Sequence, residues 1–161
     1  MKRLLLALGV AAFLVGCAAN PFNASAVQLG TDRSAVVARL GEPSRVVRLP
    51  AGERMQYSLQ PFGQSAWMID LDPAGRVVRS RQVLTAAEFN RIEVGAWTRT
   101  DVEREFGPPA RIDGVASWNG PIMTYRWSDG SDMFYWVYLD GSDRVQRAHP
   151  GMEFVNAPDR D

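Results

Sequence analysis

The 161-residue sequence has few of the side chains from which disulfide frameworks, metal centres and nucleic-acid interfaces are built. It contains one cysteine and one histidine, so neither a disulfide network nor a metal site with several histidines can form within the chain. Eighteen basic residues balance eighteen acidic ones and no basic tract occurs, which argues against a nucleic-acid partner. Hydrophobic residues make up 46% of the chain, enough to stabilise one domain through a packed core.

Pairs of aspartates are the remaining candidates for acid–base chemistry. They are Asp70 with Asp72, Asp129 with Asp132, and Asp140 with Asp143. Most of them fall in turn segments, where a short acidic side chain accepts hydrogen bonds from nearby backbone amides. We therefore predict a protein that is not an enzyme, with no catalytic residue, bound metal, cofactor or small-molecule substrate. A cell-wall hydrolase that acts through Asp72 or Asp140 is a competing hypothesis.

The N-terminus carries the one long apolar run of the sequence. Two basic residues precede the run at residues 4–13, which is too short to span a bilayer comfortably, and no stop-transfer pattern follows. This pattern is typical of a secretory signal. It ends in Leu-Val-Gly-Cys at residues 14–17, which resembles the lipobox of bacterial lipoproteins.

The lipobox resemblance implies cleavage of residues 1–16 and acylation of Cys17 by a diacylglyceryl and an N-acyl group, which anchors the protein in a membrane. Ala18 follows in place of the aspartate that resembles an inner-membrane retention signal. This favours the inner leaflet of the outer membrane, with the protein facing the periplasm. We interpret residues 17–26 as the lipidated cysteine and a tether. The alternative is an ordinary secretory signal followed by a free or buried thiol.

The rest of the chain contains an internal duplication. Residues 32–46 match residues 98–112 at an offset of 66, and residues 67–72 match residues 135–140 at an offset of 68. Two copies with this period indicate a duplicated supersecondary unit. Each copy has an apolar helical stripe that ends in Gly-x-Pro, and turn signals separate the short strands that follow.

These patterns predict an α+β fold of two tandem helix–helix–antiparallel meander repeats, with the helices packed on one face of the sheet. The expected divisions are a signal peptide at 1–16, a lipidated cysteine and tether at 17–26, a first repeat at 27–84, a second repeat at 85–155 and a C-terminal tail at 156–161.

In the first copy, the pattern Gly-x5-Val-x3-Leu-Gly-x-Pro is formed by Gly30, Val36, Leu40, Gly41 and Pro43. This pattern, with a short helix before it and β-hairpins after it, resembles the SmpA/OmlA (BamE-like) family of envelope lipoproteins. The resemblance implies a non-enzymatic adaptor or scaffold in cell-envelope or outer-membrane protein assembly, with the β-barrel assembly machinery as the candidate protein partner. The tandem architecture is also similar to that of β-lactamase inhibitor proteins. That similarity implies an alternative, an inhibitor-like module that blocks an envelope or secreted hydrolase.

The two copies differ on one face of one strand. Where the first copy has alanine, methionine and aspartate, the second has Phe134, Trp136 and Tyr138. Aromatic residues beside arginine are typical of interface hot spots, whereas a solvated sheet face does not need them. We predict a partner-binding surface made of these three residues, Arg126 and Trp118. The alternative is that the first repeat, the tail or the N-terminal linker covers the face, which would bury Trp136 almost completely.

Overall fold

The computed structural model describes residues 21–153. This part of the chain consists mainly of two four-stranded antiparallel sheets, each with its strands in chain order. Two α-helices of eight residues and one of four accompany them. The predicted α+β fold of helix–helix–meander repeats is therefore wrong, and the fold is β-rich. The helical patterns of the sequence span only one or two turns, so the strands dominate each unit.

The elements follow one another in two similar series. The first series is a 3-10 helix (Pro21–Ala26), α1 (Arg33–Leu40), β1 (Arg45–Leu49), β2 (Gly52–Ser58), β3 (Ala66–Leu71) and β4 (Val77–Gln82). The second series is α2 (Ala86–Phe89), α3 (Arg99–Phe106), β5 (Arg111–Asp113), β6 (Ile122–Ser128), β7 (Asp132–Leu139) and β8 (Val145–Met152). The short helix predicted before α1 in the first copy is thus only a 3-10 helix.

A tyrosine in each sheet holds the end of the helix before it. Gly41 follows α1 with φ +82° and Gly107 follows α3 with φ +79°, a backbone conformation that favours glycine. The Tyr57 hydroxyl donates to the Gly41 carbonyl at 3.0 Å, and the Tyr125 hydroxyl donates to the Gly107 carbonyl at 2.8 Å. The duplicated sequence pattern therefore corresponds to a duplicated contact between helix and sheet.

The first core lies between the first sheet and the helical segments before it. Val36 of α1 and Ile69 of β3 are fully buried in this cluster. Ala24 of the 3-10 helix is fully buried in the same cluster. Ala24 belongs to the segment that the sequence predicts to be a tether, and it packs in the first core. The signal peptide, Cys17 and the tail at 156–161 lie outside the described residues.

The second core lies between the second sheet and the helices α2 and α3, and it is built around one aromatic ring. The Phe89 ring stacks on Tyr135 with 4.0 Å between centroids and on Phe106 with 5.0 Å. Trp127 meets the Phe89 ring edge-on at 5.6 Å. Stacked and edge-on pairs are the favourable arrangements of buried aromatic rings. The contacts of Phe89 therefore hold α2 in place, although this helix has only one turn.

The helices α2 and α3 also cover the first sheet. We call the face of each sheet that packs on its own preceding helices the front, and the opposite face the back. Ala66 and Met68 point to the back of β3, yet both are fully buried in the second core. The described chain is therefore a stack of four layers: the 3-10 helix with α1, the first sheet, α2 with α3, and the second sheet.

Arg54 on β2 is the centre of a buried ion network between the first sheet and α3. Its guanidinium binds the Asp70 carboxylate at 2.6 and 3.0 Å and the Glu105 carboxylate at 3.0 Å. Arg81 donates to Glu105 at 2.9 Å. Buried charges are tolerated only when they are paired, so the network fixes the position of α3 on the sheet. Asp70, which the sequence groups with Asp72, is a buried salt-bridge residue.

The C-terminal end of α3 directs its last carbonyls at the back of the first sheet. The side-chain amide of Gln56 donates to the carbonyls of Glu103 and Arg104, both at 3.0 Å. Arg54 donates to the Arg104 carbonyl at 3.0 Å. The last carbonyls of a helix carry partial negative charge, and that of Glu103 also accepts from the Gly107 amide at 2.9 Å, so these donors stabilise the helix end. The back of the first sheet is therefore a binding site for the C-terminal end of α3.

We predict that Glu105→Gln lowers the free energy of unfolding by about 2 kcal/mol at pH 7, because charged hydrogen bonds to Arg54 and Arg81 are lost. Burial by itself raises the pKa of Glu105, and attraction to the two arginines outweighs burial, so the pKa falls from 4.5 to about 2. A lowered folded-state pKa stabilises the fold above the unfolded-state pKa, and this stabilisation is lost as the pH falls towards 2.

Urea unfolding of both proteins between pH 7 and pH 2 measures this difference, which should shrink as the solution becomes more acidic. Glu53→Gln is the matched control, because it removes a partly exposed pair with Arg33 and should change stability by less than about 0.5 kcal/mol. A difference that stays constant with pH would contradict the role assigned to Glu105.

We expect Tyr125→Phe to cost about 1–2 kcal/mol, because the Gly107 carbonyl loses its donor where water cannot replace it. Burial raises the pKa of Tyr125 well above 10, in keeping with its closed surroundings. Tyr57→Phe removes the matching bond from Gly41 at a partly buried site and should cost less. Thermal unfolding measures the loss of stability in each variant. Equal losses would contradict the prediction that the more buried hydrogen bond contributes more.

Candidate functional site

The back of the second sheet holds the aromatic residues that the sequence singles out. Phe134, Trp136 and Tyr138 alternate along β7 with residues buried in the second core, and two-residue alternation places the two sets on opposite faces. All three are partly exposed, so residues 21–153 leave this surface open. Together with Trp118 and Arg147 they form a continuous layer, which we call the aromatic face.

Trp118 lies in the connection between β5 and β6 and closes one end of the aromatic face. Its indole N–H donates to the Leu139 carbonyl at 2.8 Å. Its ring meets the Tyr138 ring edge-on, with 5.2 Å between centroids and an interplanar angle of 76°. This connection is longer than its counterpart between β1 and β2, so the insertion that changes the repeat offset brings an aromatic residue to the site.

At the centre of the face, between Phe134 and Tyr138, the indole of Trp136 lies over β8. Gly151 has no side chain at this point, and a Cβ there would stand 2.2 Å from the indole Cζ3. Phe134 lies against Trp136 with 5.8 Å between ring centroids. The glycine thus makes room for the indole, which covers the strand and still keeps part of its surface exposed.

Two arginines and a histidine, which the sequence reasoning missed, complete this surface. The guanidinium carbon of Arg147 lies 3.8 Å from the Tyr138 ring centroid, and that of Arg111 lies 5.5 Å from the Phe134 ring centroid. His149 stacks on Tyr138 at 5.4 Å. Cation–π attraction holds guanidinium groups over aromatic rings in this way. Two-residue alternation along β8 could have revealed positions 147 and 149.

Arg126 is predicted to bind a partner, but the structure engages its guanidinium within the protein. Its Nε lies 2.9 Å from the Glu153 carboxylate, and its Nη1 donates to the Pro61 and Phe62 carbonyls at 3.3 and 2.8 Å. The loop between β2 and β3 thus reaches from the first sheet to the second. Sequence alignment of the two copies cannot show this contact, because it joins one copy to the other.

The charges of this region leave one cation without an acidic neighbour. Arg111 pairs with Asp113 at 2.9 Å, and Arg126 pairs with a glutamate. Arg147 is exposed and has no carboxylate partner among the residues that the structure describes. A guanidinium stacked on tyrosine and open to solvent is well placed to bind an external carboxylate.

The aspartates in turn segments are weaker candidates for a functional site. Asp140 accepts hydrogen bonds from the backbone amides of Ser142 and Arg144 at 2.8 and 3.0 Å, and from the Ser142 hydroxyl at 2.7 Å. The hydroxyl bond of Ser142 and these amides lower the pKa of Asp140 to about 2. A carboxylate held ionised in this way stabilises its turn and is a poor proton donor.

Other surfaces of the described chain are less developed. A groove of about 430 Å³ beside α1 is lined by Arg33 and Glu53, which pair with each other at 2.8 Å. Within residues 21–153, no group of three or more acidic, histidine or cysteine side chains is placed to hold a metal ion. None of the helices in the same range has the length and apolar character needed to cross a membrane.

Comparison with known proteins adds little to this geometry. No family model matches the chain, and no curated protein matches it. A similar solved structure is that of a DUF4309 family protein, YjgB, from Bacillus subtilis, which is 17% identical with a TM-score of 0.32. The match covers 76% of this chain and 79% of that one. The function of the chain therefore has to be inferred from its own residues.

Proposed function

We propose that this protein is an outer-membrane-anchored lipoprotein that faces the periplasm and acts as a non-enzymatic adaptor or scaffold in cell-envelope assembly. The resemblance of residues 14–17 to a lipobox supports the anchor at Cys17. The resemblance of residues 30–43 to the SmpA/OmlA pattern supports a role beside the β-barrel assembly machinery. The aromatic face is the surface through which the protein binds its partner.

The difference between the two sheets carries this proposal. The back of the first sheet is covered, and Ala66 and Met68 there are fully buried. At the matching positions of the second sheet, Phe134 and Trp136 are partly exposed. Large aromatic side chains with a nearby arginine supply much of the binding energy of protein interfaces. A face with this composition, left open by the described residues, is suited to a protein partner.

The aspartates that could serve an enzyme have structural roles. Asp70 is held by Arg54 in a buried ion pair at 2.6 Å, and Asp72 accepts from the backbone amides of Ala74 and Arg76, both at 2.9 Å. These carboxylates are engaged in keeping the fold together, which supports a binding protein over a hydrolase.

We predict that Trp136→Ala, in the full chain expressed in its native host, weakens partner binding by about 2 kcal/mol, or roughly thirtyfold. Quantitative co-purification of the tagged protein measures the loss. Recovery of β-barrel assembly components with the unmodified protein is the expected result. Recovery of a hydrolase whose activity falls on binding would support the inhibitor alternative instead.

Because the Trp136 indole also covers β8, a second variant separates binding from stability. Arg147→Glu leaves the aromatic rings in place, should lower the free energy of unfolding by at most about 1 kcal/mol through the lost cation–π contact, and should still reduce co-purification. Val78→Ala is the matched control, since Val78 is an apolar residue of the first sheet with 53% exposure. If both variants of the aromatic face keep the partner, the proposed binding surface is wrong.

The anchor is tested at the lipobox. The unmodified protein should incorporate labelled palmitate and begin at residue 17 by mass spectrometry, whereas Cys17→Ala should incorporate none. Ala18→Asp is the control, because it keeps the acylated cysteine and should move the protein to the inner-membrane fraction. Palmitate-free protein with an intact Cys17 would refute the anchor.

A further inference from the structure

The aromatic face occupies the same place in the second sheet as the helix-binding face occupies in the first. Cross-strand neighbours on the two back faces correspond residue by residue. The matching pairs are Met68–Arg81 with Trp136–His149, and Asp70–Arg79 with Tyr138–Arg147. Each sheet also has a register shift at the equivalent point of its third strand. The molecule therefore shows, on its first sheet, how a back face of this geometry is used.

A helix whose glutamates bind arginines of the sheet occupies that first face. Arg45 at the edge of the sheet donates to the Glu103 carboxylate of α3 at 3.0 Å. Arg54 and Arg81 bind the carboxylate of Glu105, in the last turn of the same helix, at 3.0 and 2.9 Å. Met68 fills the space beneath the helix end, and a Cβ added at Gly107 would stand 3.4 Å from its methyl group. Arginines that bind its glutamates and a buried methionine are the elements of this binding site.

The second face keeps part of this arrangement. Ile122 and His149 stand where Arg54 and Arg81 bind Glu105 on the first face, so its cations lie elsewhere. Arg111 stands where Arg45 stands, because the two pair with Thr124 and Gln56, the equivalent residues of the second strands. Arg147, the counterpart of Arg79, provides a second cation at the rim, where it stacks on Tyr138. Trp136 replaces the methionine at the centre, so the apolar area offered to a partner is greater. Charge and shape therefore suit a helix with acidic and apolar residues on one side.

A second copy of this chain fits the face poorly. Its α2 and α3 are already buried between its own sheets, which leaves α1 as the exposed helix of appreciable length. That helix has Arg33 and Arg39 on its exposed surface and no acidic residue in its first turn. A basic helix would be repelled by Arg147, so the charges favour a different protein.

We infer that the aromatic face binds an α-helix of a partner protein. Apolar residues three and four positions apart on that helix lie against Phe134 and Trp136, and a glutamate or aspartate reaches Arg147. This inference rests on the proposed function, since it names the kind of segment that the adaptor recognises. The helix sits on the second sheet as α3 sits on the first.

The test uses a photo-crosslinking residue in the full chain, expressed in the native host. Trp136→p-benzoylphenylalanine keeps an aromatic side chain at the centre of the face, and mass spectrometry of the adduct identifies the captured residue of the partner. Val78→p-benzoylphenylalanine on the first sheet is the matched control and should give no adduct. The expected result is capture of an apolar residue in a helix, with an acidic residue within one turn of it.

Charge exchange then tests the carboxylate contact. Arg147→Glu should lower the adduct yield by about tenfold, and replacement of the partner's acidic residue by arginine should restore it. A crosslink to an extended segment of a partner, to a second copy or to residues 154–161 of this chain would overturn the helix inference. A crosslink to an extended segment of a partner would still leave the proposed partner binding intact. Absence of any protein adduct would overturn the proposed function itself.

Discussion

Arg54 stands where the two halves of the chain meet, and its guanidinium binds three groups there. It pairs with Asp70 of its own sheet and with Glu105 of α3, and it donates to the Arg104 carbonyl at the end of that helix. A buried guanidinium needs several acceptors at once, because water cannot take their place. The helix that supplies them must lie between the sheets, and the order of the four layers depends on this constraint.

This arrangement makes the two copies unequal although their strands match. The first sheet has helices on both faces, while the second has described helices on its front only. Small or flexible side chains, Ala66 and Met68, suit the covered back face because a helix must approach it closely. The open back face has larger rings, and Gly151 gives one of them room to lie along the strand. The divergence of the copies is thus explained by where each lies in the stack.

The sequence placed Phe134, Trp136 and Tyr138 on one face of a strand, since alternation along β7 needs only local information. It also placed the helix ends at Gly41 and Gly107, because glycine favours the backbone conformation found there. It missed Arg147 and His149, whose strand begins beyond a turn, and it overestimated the helical content. Arg126 was predicted to face a partner, but a loop of the other copy binds it. Contacts between copies leave no local pattern, so they could not be predicted.

By itself, the sequence determined the duplication, the strand faces, the helix ends and the scarcity of catalytic side chains. Each of these follows from residue type and spacing along the chain. Only the tertiary structure decided that α3 serves both sheets, that Ala24 belongs to the first core, and that residues 21–153 cover one back face and leave the other partly exposed. The physical reason is that a helix has two sides, and its sequence does not state which sheet each side will meet. The ion pair between buried Arg54 and Glu105 settles that choice for this protein.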